Sequence, residues 1–168
     1  LVFDEIDTGV GGAVADAIRR LEDIYRRLPP LPAPFQPFEK LVLNAAGTLN
    51  SLKCYEHLAD GRQVDTIHPG KGALACTYFW DGAFTMPGLD LLQEEGTACS
   101  LADLLTGGIA ADGVPAAYMH DGKYHQDYQQ PILAWGINHL APERLPEGAL
   151  ERWYPALARY VRHWLAAG

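Results

Sequence analysis

Five prolines between residues 28 and 38 restrict the fold of this 168-residue chain more than any other feature. The segment LPPLPAPFQPF cannot continue a helix or join the interior of a sheet, because proline lacks the backbone N–H donor and fixes its own φ angle. We therefore predict an extended, semi-rigid linker here. It separates an N-terminal extension, residues 1–28, from a main domain, residues 38–168, with the linker over residues 29–37.

Composition excludes several classes of function. The net charge of −8 disfavours a nucleic-acid backbone as partner. No apolar run approaches the ~20 residues that a membrane span needs. Three cysteines without a CxxC spacing predict neither a disulfide framework nor a zinc site. We expect reduced thiols in a cytoplasmic protein that carries no cofactor.

Apolar residues at helical spacing predict a mainly α fold. Ser100 is a good N-cap for one of the shorter helices, with Asp103 three residues later. The most regular pattern lies near the C-terminus, where apolar residues recur on one helix face. The predicted helices are Ala13–Leu28, Phe38–Asn50 (broken or capped near Gly47), Phe84–Gln93, Ser100–Leu105, Pro131–Leu140 and Leu150–Ala166.

The remaining segments are predicted as one strand and two loops. Leu1–Phe3 is apolar and favours a short buried strand. Ala59–Gly72 contains an Asp-Gly turn signal and a Pro-Gly pair, which indicate a loop. Gly107–Pro131 is predicted as a long irregular loop that contains two further Asp-Gly pairs. Long loops in a compact domain are usually functional or disordered, and this one is rich in aromatic residues.

The N-terminal segment LVFDEIDTGVGG has the form of an ATPase motif. Asp4 and Glu5 follow an apolar run, as do the Mg²⁺-binding and water-orienting carboxylates of a Walker B strand. LVFDEIDTGVGGAVADAI resembles bacterial DNA-repair ATPases of the RecN type over residues 1–18. No GxxxxGK[ST] phosphate loop occurs in the sequence, so we expect no working nucleotide site. An ATP-dependent DNA-repair fragment stays as an alternative hypothesis.

Two aromatic segments place carboxylate and amide groups among rings. YFWDGAF begins at Tyr78, and DGVPAAYMHDGKYHQDYQQPILAW covers residues 112–135. Sugars need this mixture, because their C–H faces stack on rings while their hydroxyls need planar polar partners. Each residue alone is better explained by packing or capping: Trp80 and Trp135 as core, Asp81 as a helix cap or a turn with Gly82. Together they favour a carbohydrate site.

Three motifs carry a resemblance to a known family. TYFWDGAFTMPGLDLL resembles the Trp-Asp segment of (α/α)6-barrel glycoside hydrolases of family 63 and the mannosylglycerate-hydrolase-like group. ADGVPAAYMHDGKYHQDYQQPILAWGINHL is similar to their next landmark, and WYPALARYVRHWL to the helix that follows. The order and spacing of the three motifs agree over about residues 38–165. Gln130-Pro131-Ile132 departs from the pattern, since the family often has two prolines there.

The resemblance implies the N-terminal part of an (α/α)6 toroid, an incomplete barrel with long loops and a short N-terminal extension. It implies that Trp80, Asp81 and Gln130 contact the sugar, and that Tyr78, His125 and Trp135 line the same subsite. It also implies inverting hydrolysis by an acid and a base. The family carries both carboxylates further along the chain, so we expect them beyond Gly168 and expect this fragment to be inactive.

Several alternatives stay open. Asp81, Asp112, Asp121 and Asp127 could supply a substitute carboxylate pair. His120, Asp121, His125 and Asp127 could suggest a metal, although a hydrated turn with hydrogen-bonding histidines fits the spacing better. The chain could instead be a non-catalytic carbohydrate-binding module. Half a barrel would leave an apolar face open, which predicts self-association through that face.

Overall fold

The N-terminal unit, residues 1–48, is built on one long helix. The computed structural model describes residues 2–70, 74–120, 122–126 and 129–167, with the backbone alone described for residues 2–10. Helix α1 covers Val2–Arg27. The predicted strand over Leu1–Phe3 is therefore wrong for Val2 and Phe3, and Leu1 lies outside the described residues. An isolated three-residue strand leaves its backbone groups unpaired, whereas a helix pairs them within the segment.

The proline-rich segment is partly helical rather than extended. Ala33–Phe38 form a 3-10 helix, which Pro34 opens at a position where no backbone donor is needed. Helix α2, Glu39–Ser51, follows directly and confirms the helix predicted there. It continues through Gly47, where an added Cβ would lie 3.5 Å from the Leu21 side chain of α1. The glycine therefore lies beside α1 and does not break α2.

The second unit, residues 49–168, contains the last residues of α2 and then a β-hairpin. Strand β1, Lys53–His57, pairs antiparallel with β2, Gln63–Ile67. The turn is the predicted Asp-Gly pair: Gly61 adopts φ +85°, and the Asp60 carboxylate accepts a hydrogen bond from the backbone N–H of Arg62 at 3.0 Å. The prediction of a loop through Ala59–Gly72 is wrong over β2.

A three-stranded antiparallel sheet replaces much of the predicted long loop. Its order is β3, Thr77–Tyr78, then β4, Ala116–His120, then β5, Lys123–Gln126. The prediction of an irregular segment from Gly107 to Pro131 is therefore wrong over β4 and β5. Gly122, in the β4–β5 turn, has φ +70°, and an added Cβ would lie 2.7 Å from the backbone nitrogen of Ala59. The two hairpin turns thus meet at a point where only glycine fits.

A buried polar cluster joins the first hairpin to β3. One carboxylate oxygen of Glu56, on β1, accepts hydrogen bonds from the backbone N–H of Thr77 at 3.2 Å and from its hydroxyl at 3.3 Å. His68 Nε2 lies 3.0 Å from the same oxygen. The hydroxyls of Thr66 and Thr77 are 2.8 Å apart. Because Glu56 is only 6% exposed, these partners replace the water that the carboxylate loses on folding.

Four helices build the rest of the second unit. They are α3, Phe79–Leu91; α4, Glu95–Gly107; α5, Leu133–Asn138; and α6, Ala149–Ala167, with a 3-10 turn at Pro142–Arg144. The predictions for α5 and α6 are confirmed, apart from their ends. Helix α4 begins before Ser100, so the N-cap predicted there is wrong, because Ser100 lies in the helix interior. Helix α3 likewise begins five residues before the predicted start at Phe84.

The core of the second unit lies between these helices. Its largest members are Trp153, Tyr160 and Phe79, packed with leucines from α3, α4 and α5. The architecture is mainly α with two small sheets, which confirms the predicted class at that level. In the part of the chain that is described, no helix combines the length and apolar character that crossing a membrane requires.

Candidate functional site

The first turns of α3 present two aromatic rings on its outer face. Phe79, Ala83 and Met86 recur at helical spacing and are buried, so they fix the inner face of the helix. Trp80 and Phe84, four residues apart, therefore share the opposite, exposed face. Their ring centroids are 5.7 Å apart. The i, i+4 spacing of a single helix is enough to create this pair.

A close helix contact brings in a third ring from α5. An added Cβ on Gly136 would lie 2.5 Å from the carbonyl oxygen of Ala83, so the two helices touch backbone to backbone at this point. The neighbours of these two residues, Trp135 and Phe84, consequently meet with ring centroids 5.6 Å apart. The structure thus brings together Trp80 and Trp135, two predicted site residues, through Phe84.

His139 completes this surface, which we call the aromatic row: Trp80, Phe84, Trp135 and His139. The imidazole lies 4.3 Å from the Trp135 ring, centroid to centroid. His139 Nδ1 donates a hydrogen bond to the Trp135 carbonyl oxygen at 2.8 Å, since a carbonyl can only accept. Because Nδ1 is engaged in that hydrogen bond, Nε2 is the ring nitrogen left for a ligand.

Asp81 lies beside the aromatic row, exposed, in the first turn of α3. A carboxylate in a first turn interacts favourably with the helix dipole. Asp81 does not form the alternative turn with Gly82, because Gly82 is helical and buried. The pKa of Tyr78 lies above its ordinary value, first because of its hydrogen bond to Cys76, then because of burial and nearby charges that include Asp81. Tyr78 thus keeps its phenolic proton at neutral pH.

A second aromatic group joins Tyr78 to His125. Tyr78 on β3 and Tyr118 on β4 are paired residues with ring centroids 5.5 Å apart. The Tyr118 and His125 rings stack with centroids 4.5 Å apart. Because Tyr78 is the N-cap of α3, this group ends two residues before Trp80. The β4–β5 hairpin therefore brings the predicted residue His125 to Tyr78.

Gln130 is held through its backbone. The Tyr160 hydroxyl, from α6, donates to the carbonyls of Gln129, at 3.1 Å, and Gln130. The indole of Trp164 donates to the Gln129 carbonyl at 2.7 Å. The Gln130 side chain is exposed. Two aromatic residues of α6 thus anchor the segment that leads into α5 and Trp135.

The structure describes only some of the aspartates proposed as a substitute carboxylate pair or as metal ligands. The Asp112 carboxylate accepts a hydrogen bond from the Val114 backbone N–H at 3.0 Å, a turn-forming role. Asp121 and Asp127 lie outside the described residues, so the hypotheses that depend on them stay predictions. Within the described ranges, no three or more His, Cys, Asp or Glu side chains are grouped to hold a metal.

The ATPase hypothesis requires a strand end at Asp4 and Glu5. The backbone of both residues belongs to α1, and their side chains lie outside the description. The Walker B interpretation depends on a carboxylate that leaves a sheet toward a phosphate loop. Helix α1 does not supply that geometry.

Three members of the site are not among the residues predicted from the sequence. Phe84 connects Trp80 to Trp135, Tyr118 connects Tyr78 to His125, and His139 ends the row. The spacing of Trp80 and Phe84 could have revealed their pairing once a helix was placed from Phe79. The same i, i+4 spacing relates Trp135 to His139 at the end of α5, whereas the stacking of Tyr118 on His125 depends on the pairing of β4 with β5.

Comparison of the chain with protein-family models, curated proteins and solved structures finds no match. The resemblances to glycoside hydrolases and to RecN-type ATPases therefore stay hypotheses that rest on sequence motifs. The site itself is defined by the contacts of the aromatic row and of its neighbours Tyr78 and Asp81.

Proposed function

We propose that this chain binds a carbohydrate on the aromatic row, as the sugar-binding part of a glycoside-hydrolase-like catalytic domain. The observation that carries the proposal is the exposed run from Trp80 through Phe84 to Trp135, with the Asp81 carboxylate beside it. Adjacent aromatic faces stack on the C–H faces of sugar rings. A neighbouring carboxylate accepts hydrogen bonds from sugar hydroxyls.

Simple packing does not explain these rings. Trp80 is 41% exposed and Trp135 is 42% exposed, whereas the core residue Trp153 is 1% exposed. Single exposed apolar residues are normal on a protein surface, but contiguous apolar patches mark interaction sites. Trp80 and Trp135, each in contact with Phe84, form such a patch, and the polar atoms of Asp81 and His139 at its margins suit an amphipathic ligand.

The proposed fold is part of an (α/α)6 toroid, and the proposed chemistry in a complete parent is inverting hydrolysis. The mainly helical second unit supports this fold at a coarse level. In an inverting enzyme one carboxylic acid protonates the leaving oxygen and a second carboxylate activates water. No residue of this chain is assigned either role. Asp81, Trp80 and Gln130 are proposed to hold the sugar, with Tyr78, His125 and Trp135 around it.

Titration calorimetry with glucosides and mannosylglycerate tests the binding proposal. We expect saturable binding that Trp80→Ala and Trp135→Ala each weaken about tenfold, which is about 1.4 kcal/mol of binding free energy. Asp81→Asn should weaken binding while leaving the rings in place. Phe35→Ala is the matched control, since Phe35 is a 55% exposed aromatic residue of the other unit. Absence of binding, or equal loss in the control, would refute the proposal.

A hydrolysis assay on the same compounds separates the enzyme fragment from the alternatives. Sugar binding without turnover fits both the proposed enzyme fragment and the non-catalytic binding module. If the enzyme-fragment proposal is correct, a longer protein that contains the acid and the base must show turnover. Robust turnover by this chain would show that its own carboxylates act in catalysis. Nucleotide binding, measured by equilibrium dialysis, would favour the RecN-like alternative instead.

We also propose a cytoplasmic location for the carbohydrate-binding protein. This proposal rests on three free cysteines, Cys54, Cys76 and Cys99.

A further inference from the structure

Helix α6 carries an apolar face that points away from the core. Trp153, Ala156 and Tyr160 bury its inner side. On the outer side, Tyr154 is 71% exposed and Leu165 is 78% exposed. The outer face, as we use the term below, consists of Leu150, Tyr154, Ala158, Val161 and Leu165, which follow one another at intervals of three or four residues. Leu157 borders this face and packs against the core. It extends over about 22 Å of helix.

The order of residues on the outer face is symmetric. Leu150 and Leu165 lie at equal distances from the midpoint between Leu157 and Ala158, as do Tyr154 and Val161. A second copy of α6, rotated by a two-fold axis through that midpoint, would therefore set each apolar residue opposite an apolar residue. Self-complementarity of one patch is what a two-fold symmetric interface requires.

We propose that the outer face binds a second copy of this chain, with the two α6 helices packed antiparallel. A groove of about 430 Å³ lies at the centre of the face, bordered by Ala134 of α5 and by Ala158 and Val161 of α6. In the antiparallel arrangement Tyr154 of each copy comes opposite Val161 of the other. The small side chains of Ala134 and Ala158 leave room for the Tyr154 ring of the other copy, as a knob fits a hole between packed helices.

Charge complementarity supports the same orientation. Glu151 and Arg162 lie on one edge of the outer face, and neither makes an ion pair with any residue that the structure describes. A two-fold rotation keeps that edge on the same side and brings Glu151 of one copy within about two residues of Arg162 in the other, so that two symmetric ion pairs form. Arg152 and Arg159 are directed elsewhere: Arg152 lies 3.6 Å from Asp103, and Arg159 donates to the Ala110 carbonyl at 3.4 Å.

Sedimentation velocity of the full chain, from about 1 to about 500 µM, tests the proposal across the range of weak interfaces. We expect a monomer–dimer equilibrium that Tyr154→Lys and Leu165→Lys each shift to monomer over this whole range. Leu41→Lys is the matched control, because Leu41 is an exposed leucine of α2 outside the face. Circular dichroism of each variant shows whether the helices remain folded. A chain that is monomeric throughout, as when a different protein covers the face, overturns the proposal.

Charge reversal tests the orientation separately. Glu151→Arg and Arg162→Glu should each weaken the dimer about tenfold, and the double variant should restore it, since both ion pairs re-form with exchanged partners. A dimer that neither single reversal changes, or that the double reversal fails to restore, overturns the antiparallel arrangement. These measurements contain no sugar, so their outcome is independent of the carbohydrate-binding test.

Discussion

Gly136 of α5 lies directly against the backbone of Ala83 in α3: an added Cβ would come 2.5 Å from the Ala83 carbonyl oxygen. A side chain at position 136 would fit only if the two helices moved apart. The contact between Phe84 and Trp135 depends on the same approach. The aromatic row therefore depends on a residue that has no side chain.

Gly136→Ala should destabilise the fold by about 1–3 kcal/mol, the usual cost of forcing extra atoms into a packed contact. Denaturant unfolding measures this loss. The control is Gly96→Ala, because Gly96 is also helical, in α4, and an added Cβ there has no neighbour within 4 Å. Alanine favours a helix over glycine, so the control should gain up to about 1 kcal/mol. Equal effects of the two substitutions would contradict the role assigned to the helix contact.

Glu56→Ala should lower the free energy of unfolding by about 1–3 kcal/mol, because it leaves the buried Thr77 N–H without its acceptor. Glu56→Gln keeps one acceptor oxygen and should lose less. Thermal unfolding of both variants, followed by circular dichroism, gives the comparison. A Glu56→Ala chain as stable as the parent would mean that Thr77 finds another acceptor at no cost.

Tyr160→Phe should cost about 1 kcal/mol, since it removes the hydroxyl that donates to the carbonyls of Gln129 and Gln130. Amide hydrogen exchange supplies a local readout: the Ile132 N–H, which donates to the Gln130 carbonyl at 2.7 Å, should exchange faster. Tyr55→Phe is the control, because the Tyr55 side chain is exposed and lies on β1, away from α6. Unchanged exchange at Ile132 would argue against anchoring of this segment by α6.

Cys54 should resist alkylation at neutral pH. Burial raises the pKa of its thiol from 9.0 to about 11, although a backbone hydrogen bond at His68 lowers the pKa in part. The neighbouring Glu56 and Asp65 charges raise it slightly further, so the reactive thiolate is scarce. Since the folded pKa exceeds the unfolded one, this thiol supports folding fully below about pH 9 and loses that contribution as the pH rises toward 11. Iodoacetamide labelling followed by mass spectrometry, with the denatured chain as reference, measures the rate. Equal labelling of Cys54 in both states at pH 8 would contradict this.

The long helices could be predicted from the sequence because their signal is local. Apolar spacing indicated α2 and α6 closely. The hairpins could not be predicted in the same way, because KCYEH and QVDTI alternate weakly between polar and apolar residues. The Asp60-Gly61 pair by itself indicates the turn but not the strands beside it. An Asp-Gly pair flanked by aromatic and β-branched residues was the available indication of strands.

The candidate site, like the fold, could be predicted from the sequence only in part. Trp80, Asp81 and Trp135 could be singled out by residue type, since binding sites combine aromatic rings with a few polar groups. Their grouping depends on the contact of Gly136 with Ala83 and on the stacking of Tyr118 with His125. The first contact joins residues 53 positions apart, so no window of local sequence contains it. Tyr118 and His125 are only seven residues apart, but their stacking depends on the pairing of β4 with β5.

The pairing of Tyr78 with Tyr118 has a consequence for synthesis of the chain. These partners are 40 residues apart, so the strand that leads into α3 waits for its neighbour while the ribosome adds those residues. At the usual elongation rate this takes about 2–8 s. During that interval the apolar inner face of α3 has no sheet beside it, and α5 has not yet emerged. A nascent chain whose emerged part ends between residues 90 and 115 is therefore the stage at which we expect chaperones to bind most strongly.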